Sequence, residues 1–394
     1  MKPLYLSPPG VLCALGNDAA TICPGLFAGS TAGMVLEDGW LAGAPARVGR
    51  VTGDLPELPR RLADCNSRNN RLLLAACQQI EDELKAVIAR FGTHRVGVIL
   101  GTSTSGIAEG EAAIAHYRQH GSFPAGFAYN QMDIGNPAVF LAAYFGLVGP
   151  AYTVSTACTS GAKALVAARN LIRTGFCDAV VTGGVDTLCR LTVSGFTALE
   201  STTPEICLPL SRHRSGINIG EGAAVFILSR DEGPVQFLGA GESSDAHHIS
   251  APEPQGRGAQ AAMEAALQDA GVAPSAIGYL NLHATATPKN DAMESLAVTR
   301  VFPDGVAVSG SKPMTGHTLG AAGALEAAFC WFALTDPKGS LPPHVWDDAP
   351  DPALPALAVV RPGQCFAPDR PRLAMSNSFA FGGNNVSLIL GASR

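Results

Sequence analysis

The stretch Val154-Ser155-Thr156-Ala157-Cys158-Thr159-Ser160-Gly161 most constrains how this chain can fold. Ala151-Tyr152-Thr153-Val154, just before it, has the character of a strand end. From Ala162 to Thr174, the residues Leu165, Val166, Ala168 and Ile172 recur at helical spacing. The spacing predicts a strand-to-helix corner with Cys158 at or just before the first helical turn. A thiol there meets unpaired backbone N–H groups and the positive end of the helix dipole, both of which favour thiolate. Gly161 lets other segments approach closely, and small Ala157, Thr159 and Ser160 leave the sulfur accessible. The alternative is a buried cysteine packing as a small hydrophobe. This stretch alone leaves both readings open.

The rest of the chain repeats the alternation of strand and helix. A helix is predicted from about Asn70 to Phe91, with Leu72, Leu73, Ala76, Ile80, Leu84 and Ile88 on one face. The strand Arg95 to Leu100 follows and ends in the tight turn Gly101 to Gly106, placed near the active site. That turn lacks the lysine and spacing of a phosphate-binding loop. Asn136-Pro137 opens a short helix, and Asp178 to Asp186 reads as a strand of continuous apolar character, as buried parallel strands do. Ala223 to Leu228 is a further strand. A second half begins at Pro234, with helices at Ala259 to Ala270 and from Asp291. Its strands are Ile277 to His283, Val306 to Ser309, Leu373 to Ser378 and Val386 to Leu390. This order predicts a layered α/β fold in two halves, residues 1–233 and 234–394. The halves echo each other: Cys158-Thr159-Ser160-Gly161-Ala162 opens one Ala/Leu-rich helix and His317-Thr318-Leu319-Gly320-Ala321 another. Two such units packed face to face bring both helix N-termini to a common centre.

Composition removes several function classes. Charged residues are 15% of the 394, hydrophobic residues 47%, and the net charge is −6 with no basic block. Nucleic acid is therefore not an expected partner. The ten cysteines are scattered and form no Cys-x-x-Cys pair, which argues against a zinc ribbon or a disulfide framework. The first nine residues carry prolines where a signal peptide needs an apolar run, and no apolar stretch reaches membrane-spanning length. The expectation is a soluble protein of a reducing, cytoplasmic compartment.

Three segments carry the chemistry. One holds Cys158. The second is His283-Ala284-Thr285-Ala286-Thr287-Pro288-Lys289-Asn290-Asp291, after the apolar run Tyr279 to Leu282. The third is Lys312-Pro313-Met314-Thr315-Gly316-His317-Thr318-Leu319-Gly320-Ala321-Ala322-Gly323. A lone histidine at a strand end is commonly a core or capping residue, but two at strand-to-helix corners amid Gly, Thr and Ala point to a site. Neither has His-x-x-x-His spacing or nearby carboxylates, so no metal is expected. His247-His248 reads as a surface loop pair.

These segments, in this order, resemble those of the elongating β-ketoacyl-acyl carrier protein synthases. Asn377-Ser378-Phe379-Ala380-Phe381-Gly382-Gly383-Asn384-Asn385 resembles the family's closing motif, and the likeness runs through nearly the whole chain. It implies the thiolase fold in a layered αβαβα arrangement, and a Cys-His-His centre with no cofactor. The implied partners are an acyl carrier protein and a second subunit, either a copy of this chain or a ketosynthase-like chain-length factor. It implies Cys158 as acyl acceptor, His283 and His317 as the decarboxylation pair, and Lys312 and Glu294 as supporting charges. The oxyanion would rest on the backbone N–H groups of Cys158 and Phe381. Phe379, Ala380 and Phe381 would form an acyl gate, and Ile107, Phe196 and Ile217 the acyl pocket. Arg68 and Arg71 match positions where family members meet acidic carriers.

The chain departs from the family's pattern in places. Ala284 follows the first histidine where glycine is usual. Ala380 replaces the glycine of Phe-Gly-Phe, and a Cβ there would restrict positive φ and stiffen the gate. In Pro209 to Ile217, Ser211 removes a carboxylate and Ile217 an aromatic ring near the acyl site. These changes bear on acyl specificity and point to an unsaturated or aryl-bearing chain, as in aryl-polyene synthesis. The competing readings are a non-catalytic chain-length partner, which typically lacks the cysteine, and a degradative thiolase, which needs a second cysteine in the closing motif. A simple acyl-binding scaffold would leave the chemical residues unexplained.

Overall fold

The computed structural model describes residues 2–393. In the half carrying Cys158, strands Ala151–Val154, Val96–Gly101 and Ala179–Asp186 run parallel, and Gly222–Ser229 adds antiparallel to the last. The other half repeats the pattern with Ala307–Ser309, Tyr279–Asn281 and Leu373–Phe379 in parallel and Asn384–Ala392 antiparallel. Val235–Ser244 continues from Asn384–Ala392, and short Tyr5–Leu6 joins it to Gly222–Ser229. Every residue of Ala179–Asp186 and Gly222–Ser229 is buried, which is why these strands read as continuous apolar runs.

Side chains on these strands alternate between two cores, as a two-residue period requires. Ala224, Phe226 and Leu228 face the central core, whereas Ala223, Val225 and Ile227 face an outer one. In the second half Val386, Leu388 and Leu390 face the centre and Ile389 faces outward. The central core is built on two helices, Ser160–Arg173 and Ala322–Thr335. They pack against each other through missing side chains. A Cβ at Gly161 would lie 2.9 Å from the Gly320 carbonyl oxygen, and one at Gly323 would lie 2.7 Å from the Ala162 Cβ. Helices Arg68–Gln78 and Asn136–Phe145 cover one outer face, and Arg257–Ala270 and Pro288–Val301 the other. The resulting order of layers is αβαβα, the thiolase fold.

The expected helix from Asn70 to Phe91 is instead two, Arg68–Gln78 and Glu81–Phe91. The break has a local cause. The Gln79 side chain bonds both the N–H and the C=O of Val11, and Ile80 leaves helical geometry with φ −118° and ψ 16°. Glu81, Asp82 and Glu83 then start the second helix at the end where negative charge is favoured. The helix expected from Asp291 starts earlier, with Pro288 in its first turn, where the missing N–H is no loss.

Candidate active site

Cys158 precedes the helix Ser160–Arg173, beside Ala157 in left-handed geometry at φ 52°. The donors that might have held a thiolate are used by the turn itself. Thr159 N–H donates to the Thr156 carbonyl, and Ser160 N–H to that of Ala157. Cys158 is 4% exposed, and burial pushes its thiol up to about 12 against the pull of Lys312 and the Phe381 N–H. At rest Cys158 is therefore a thiol. Desolvation thus opposes the thiolate that the helix end would favour and agrees with the buried-cysteine alternative.

His283 follows the strand Tyr279–Asn281, and Glu294 accepts the backbone N–H groups of His283 at 2.7 Å and Ala284 at 2.8 Å. Burial pushes Glu294 up to about 7. The His317 backbone is held on both sides, its N–H donating to Asn218 at 2.7 Å and its carbonyl accepting from Gly220 at 3.0 Å. Its Nε2 lies 2.9 Å from Cys158 Sγ, and the two imidazoles meet edge to face at 5.3 Å. Burial, then the nearby Lys312 charge, holds both imidazoles well below the usual histidine range, so both are neutral. The sulfur and one nitrogen from each ring lie within 4.8 Å of one another. Though of metal-ligating type, these atoms face the fixed Lys312 ammonium, which disfavours a cation there.

Lys312 is 1% exposed and donates to the His283 carbonyl and, at 2.6 Å, to Glu326. It lies 3.4 Å from His283 Nδ1. The carboxylate paired with Lys312 is Glu326, whereas Glu294, expected as a supporting charge, braces the backbone of the histidine loop. The sequence reading does not single out Glu326, although it is the one carboxylate in the largely apolar helix Ala322–Thr335. Asp186 was missed as well. Fully buried, it accepts the N–H groups of Ser103, Thr104 and Gly320, tying the Gly101–Gly106 turn to the His317 corner.

A cavity of about 300 Å³ opens onto Cys158, His283 and His317, walled by Phe196, Ile217, Phe379, Ala380 and Phe381, with Thr285, Thr287 and Lys289 also in its lining. The Phe196 and Phe381 rings stand 5.3 Å apart, and Phe379 meets His283 at 6.1 Å. Ile107, expected in the pocket, opens the helix Ile107–His120 and does not line this cavity. Ala380 does not adopt a positive φ, and the left-handed positions of the closing loop are Gly382 and Gly383.

Arg68 is turned inward. It makes a two-pronged ion pair with fully buried Glu221 and also donates to the Val51 carbonyl, so its charge is spent inside the fold. Arg71, at the same helix end, bonds Asn66 and the exposed Glu57. His247 and His248 lie on an exposed loop, where His248 Nδ1 accepts the Ser250 and Ala251 N–H groups.

A layered thiolase fold with cysteine and two histidines at its centre defines a condensing-enzyme class. The chain matches the beta-ketoacyl synthase N-terminal domain over residues 42–233 and the beta-ketoacyl synthase C-terminal domain over residues 236–345. It belongs to the beta-ketoacyl synthase family, in its elongating branch. It is 31% identical over 350 residues to 3-oxoacyl-[acyl-carrier-protein] synthase 2 of Synechocystis sp., covering 84% of this chain and 83% of that protein. Among solved structures it resembles a ketosynthase (ApeO) from Xenorhabdus doucetiae, determined in complex with its chain length factor (ApeC). There the TM-score is 0.95 at 45% identity, over 100% of this chain and 98% of that one. The ishigamide ketosynthase/chain length factor matches with a TM-score of 0.88 at 27% identity, over 100% of both chains.

Proposed function

We propose that this chain joins an acyl group held on Cys158 to malonyl-acyl carrier protein by decarboxylative Claisen condensation. The carrying observation is the convergence of the Cys158 sulfur and two neutral imidazoles, within 4.8 Å, at the foot of one cavity. In the first half-reaction Cys158 Sγ attacks the acyl-carrier thioester. Its proton passes through His317 Nε2 to the departing carrier thiol, so the buried thiol needs no free thiolate beforehand. In the second, the malonyl C–C bond breaks, CO₂ leaves, and the electron pair moves onto the thioester oxygen as an enolate. Lys312 facing His283 Nδ1 leaves the ring proton on Nε2, so His283 donates to that oxygen while remaining neutral. The enolate carbon attacks the acyl-cysteine, and the tetrahedral oxyanion rests on the Cys158 and Phe381 N–H groups. Collapse releases the β-ketoacyl carrier, and the cysteine sulfur takes up one proton. No step calls for a cofactor.

The acyl group we assign is unsaturated or aryl-bearing. The Phe196 and Phe381 rings, 5.3 Å apart and tilted by 41°, line the cavity together with Ile217 and give it an aromatic wall suited to a conjugated chain. The carrier contact falls to Arg71 and to Lys289, the lysine lining the cavity mouth, rather than to Arg68. For the second subunit we favour a chain-length factor, since two ketosynthases that this chain resembles were solved with one. Its seat would be the unpaired sheet edge Ala151–Val154, where Tyr152 is 40% and nearby Val148 73% exposed. A cytoplasmic location agrees with the fact that, among the described residues, no helix is long and apolar enough to cross a membrane.

Intact-mass analysis with acyl- and malonyl-carrier proteins, with and without a co-expressed chain-length factor, tests the reaction. A product longer by two carbons, lost in Cys158→Ala, is expected; acyl loading without extension from any mixture would refute condensation. A matched panel of aryl-enoyl and saturated acyl carriers tests the substrate, and equal use of saturated chains would sink that assignment.

A further inference from the structure

His344 is 5% exposed and takes no part in the chemistry above. Its backbone N–H is fixed to the Val360 carbonyl at 2.9 Å. Its ring spans two loops. Nδ1 accepts the Gly310 N–H at 3.1 Å, and Nε2 donates to the Pro209 carbonyl at 3.0 Å. A ring that accepts at one nitrogen and donates at the other is neutral and held in a single tautomer; burial, which holds His344 down at about 4, agrees.

Both ends of this brace lead to the active centre. Gly310 lies two residues before Lys312. On its other side, a Cβ built at Gly310 would come within 2.5 Å of the Ala284 Cβ. Ala284 is left-handed at φ 44°, and Glu294 pins its N–H. The methyl at this family-atypical position thus sits in the space that Gly310 leaves empty. Pro209 begins the segment that departs from the family pattern. Beyond it, Leu210 N–H donates to Asp291, Gly216 N–H to the Ala286 carbonyl, and Asn218 accepts from His317 N–H. One imidazole therefore joins the loop entering Lys312 to the loop supplying Ile217 and holding His317.

We propose that His344 is a positioning residue for the decarboxylation half-reaction: clamping Gly310 between its ring and the Ala284 methyl, it holds Lys312 Nζ against His283. The proposal rests on the reading of His283 and Lys312 given above. Its first test needs no substrate. In ¹⁵N imidazole spectra of the full chain, His283 has its proton on Nε2, and that signal set shifts in both His344→Ala and His344→Gln. Unchanged His283 signals in the folded variants would overturn the proposal whatever the enzyme's substrate proves to be.

The second test separates the half-reactions. His344→Ala is expected to lower malonyl-carrier decarboxylation about tenfold or more, with acyl loading of Cys158 held within about twofold. His344→Gln, which keeps one acceptor and one donor, should recover part of the loss. Gly310→Ala should show the same loss, and adding Ala284→Gly should restore most of it. Parallel loss of loading and decarboxylation would mark a merely structural residue, and strictly additive effects at positions 310 and 284 would remove the clamp. Thermal unfolding of each variant checks that it folds. An inactive wild type would count against the condensation reading, with the spectra still deciding the role of His344.

Discussion

The two central corners share a backbone design and differ in what surrounds them. In one, left-handed Ala157 at φ 52° presents Cys158 ahead of Ser160–Arg173; in the other, left-handed Leu319 at φ 51° follows His317 ahead of Ala322–Thr335. The glycine-lined contact of these helices brings Cys158 Sγ and His317 Nε2 to 2.9 Å. The cysteine corner has no buried charge of its own. The histidine corner has Lys312–Glu326 at 2.6 Å behind it, Glu294 under the His283 backbone and Asp186 under Gly320. A common fold thus places two reactive atoms, and on the histidine side burial, reinforced by the Lys312 charge, keeps both imidazoles neutral. Loading should depend on Cys158 and on the His317 nitrogen that relays its proton, and decarboxylation on His283 and the buried charges behind it.

The largest break in that comparison is expected at Lys312. Lys312→Met leaves Glu326 buried without a partner, which costs about 3–5 kcal/mol in such pairs. It also frees the His283 proton from its assigned nitrogen. Lys312→Met combined with Glu326→Gln should regain most of the stability in chemical unfolding while decarboxylation stays at least about a hundredfold down. If decarboxylation returns with stability, the pair is structural only.

The next test concerns the resting sulfur. With the thiol pushed up to about 12, only the small thiolate fraction reacts, so Cys158 alkylation should rise about tenfold for each pH unit between 7 and 10. A plateau near neutrality would restore the helix-end thiolate. A smaller effect is expected where the corners touch. Gly161→Ala would set a methyl 2.9 Å from the Gly320 carbonyl oxygen and 3.0 Å from Ala324 Cβ, lowering stability by about 1–3 kcal/mol and weakening loading with it. Smallest of all, Arg71→Glu should raise the carrier KM a few-fold and spare Cys158 alkylation; an unchanged KM would clear Arg71 of carrier contact.

Much of this arrangement was legible in the chain because local pattern and chemistry coincide there. The apolar strands, the two Ala/Leu-rich helices and the Cys158, His283 and His317 segments each carry their own signature, and the echo of the two corners indicated that they meet. What escaped depends on distance in sequence. Lys312 and Glu326 are in different elements, and nothing local marks Glu326 as the lysine's partner. Arg68 matches a carrier-contact position in the sequence, but its partner Glu221 lies 153 positions away. The two readings of Cys158 stay open in the sequence because a helix dipole can be read from it, whereas burial and a turn's use of its own donors cannot. The split at Gln79 has the same origin, since the side chain that ends the helix bonds Val11 on another element.

The most direct test follows the half-reactions separately in two variants. Acyl transfer to position 158 is measured by intact mass, and CO₂ release from malonyl-carrier protein is measured alongside it. Cys158→Ala should take up no acyl group yet still release CO₂, because the neutral histidines and the Lys312–Glu326 pair are untouched. His283→Ala should load Cys158 normally and lose CO₂ release. If the cysteine variant loses CO₂ release as completely as the histidine variant, or the histidine variant fails to load, the division of labour between the two corners is wrong.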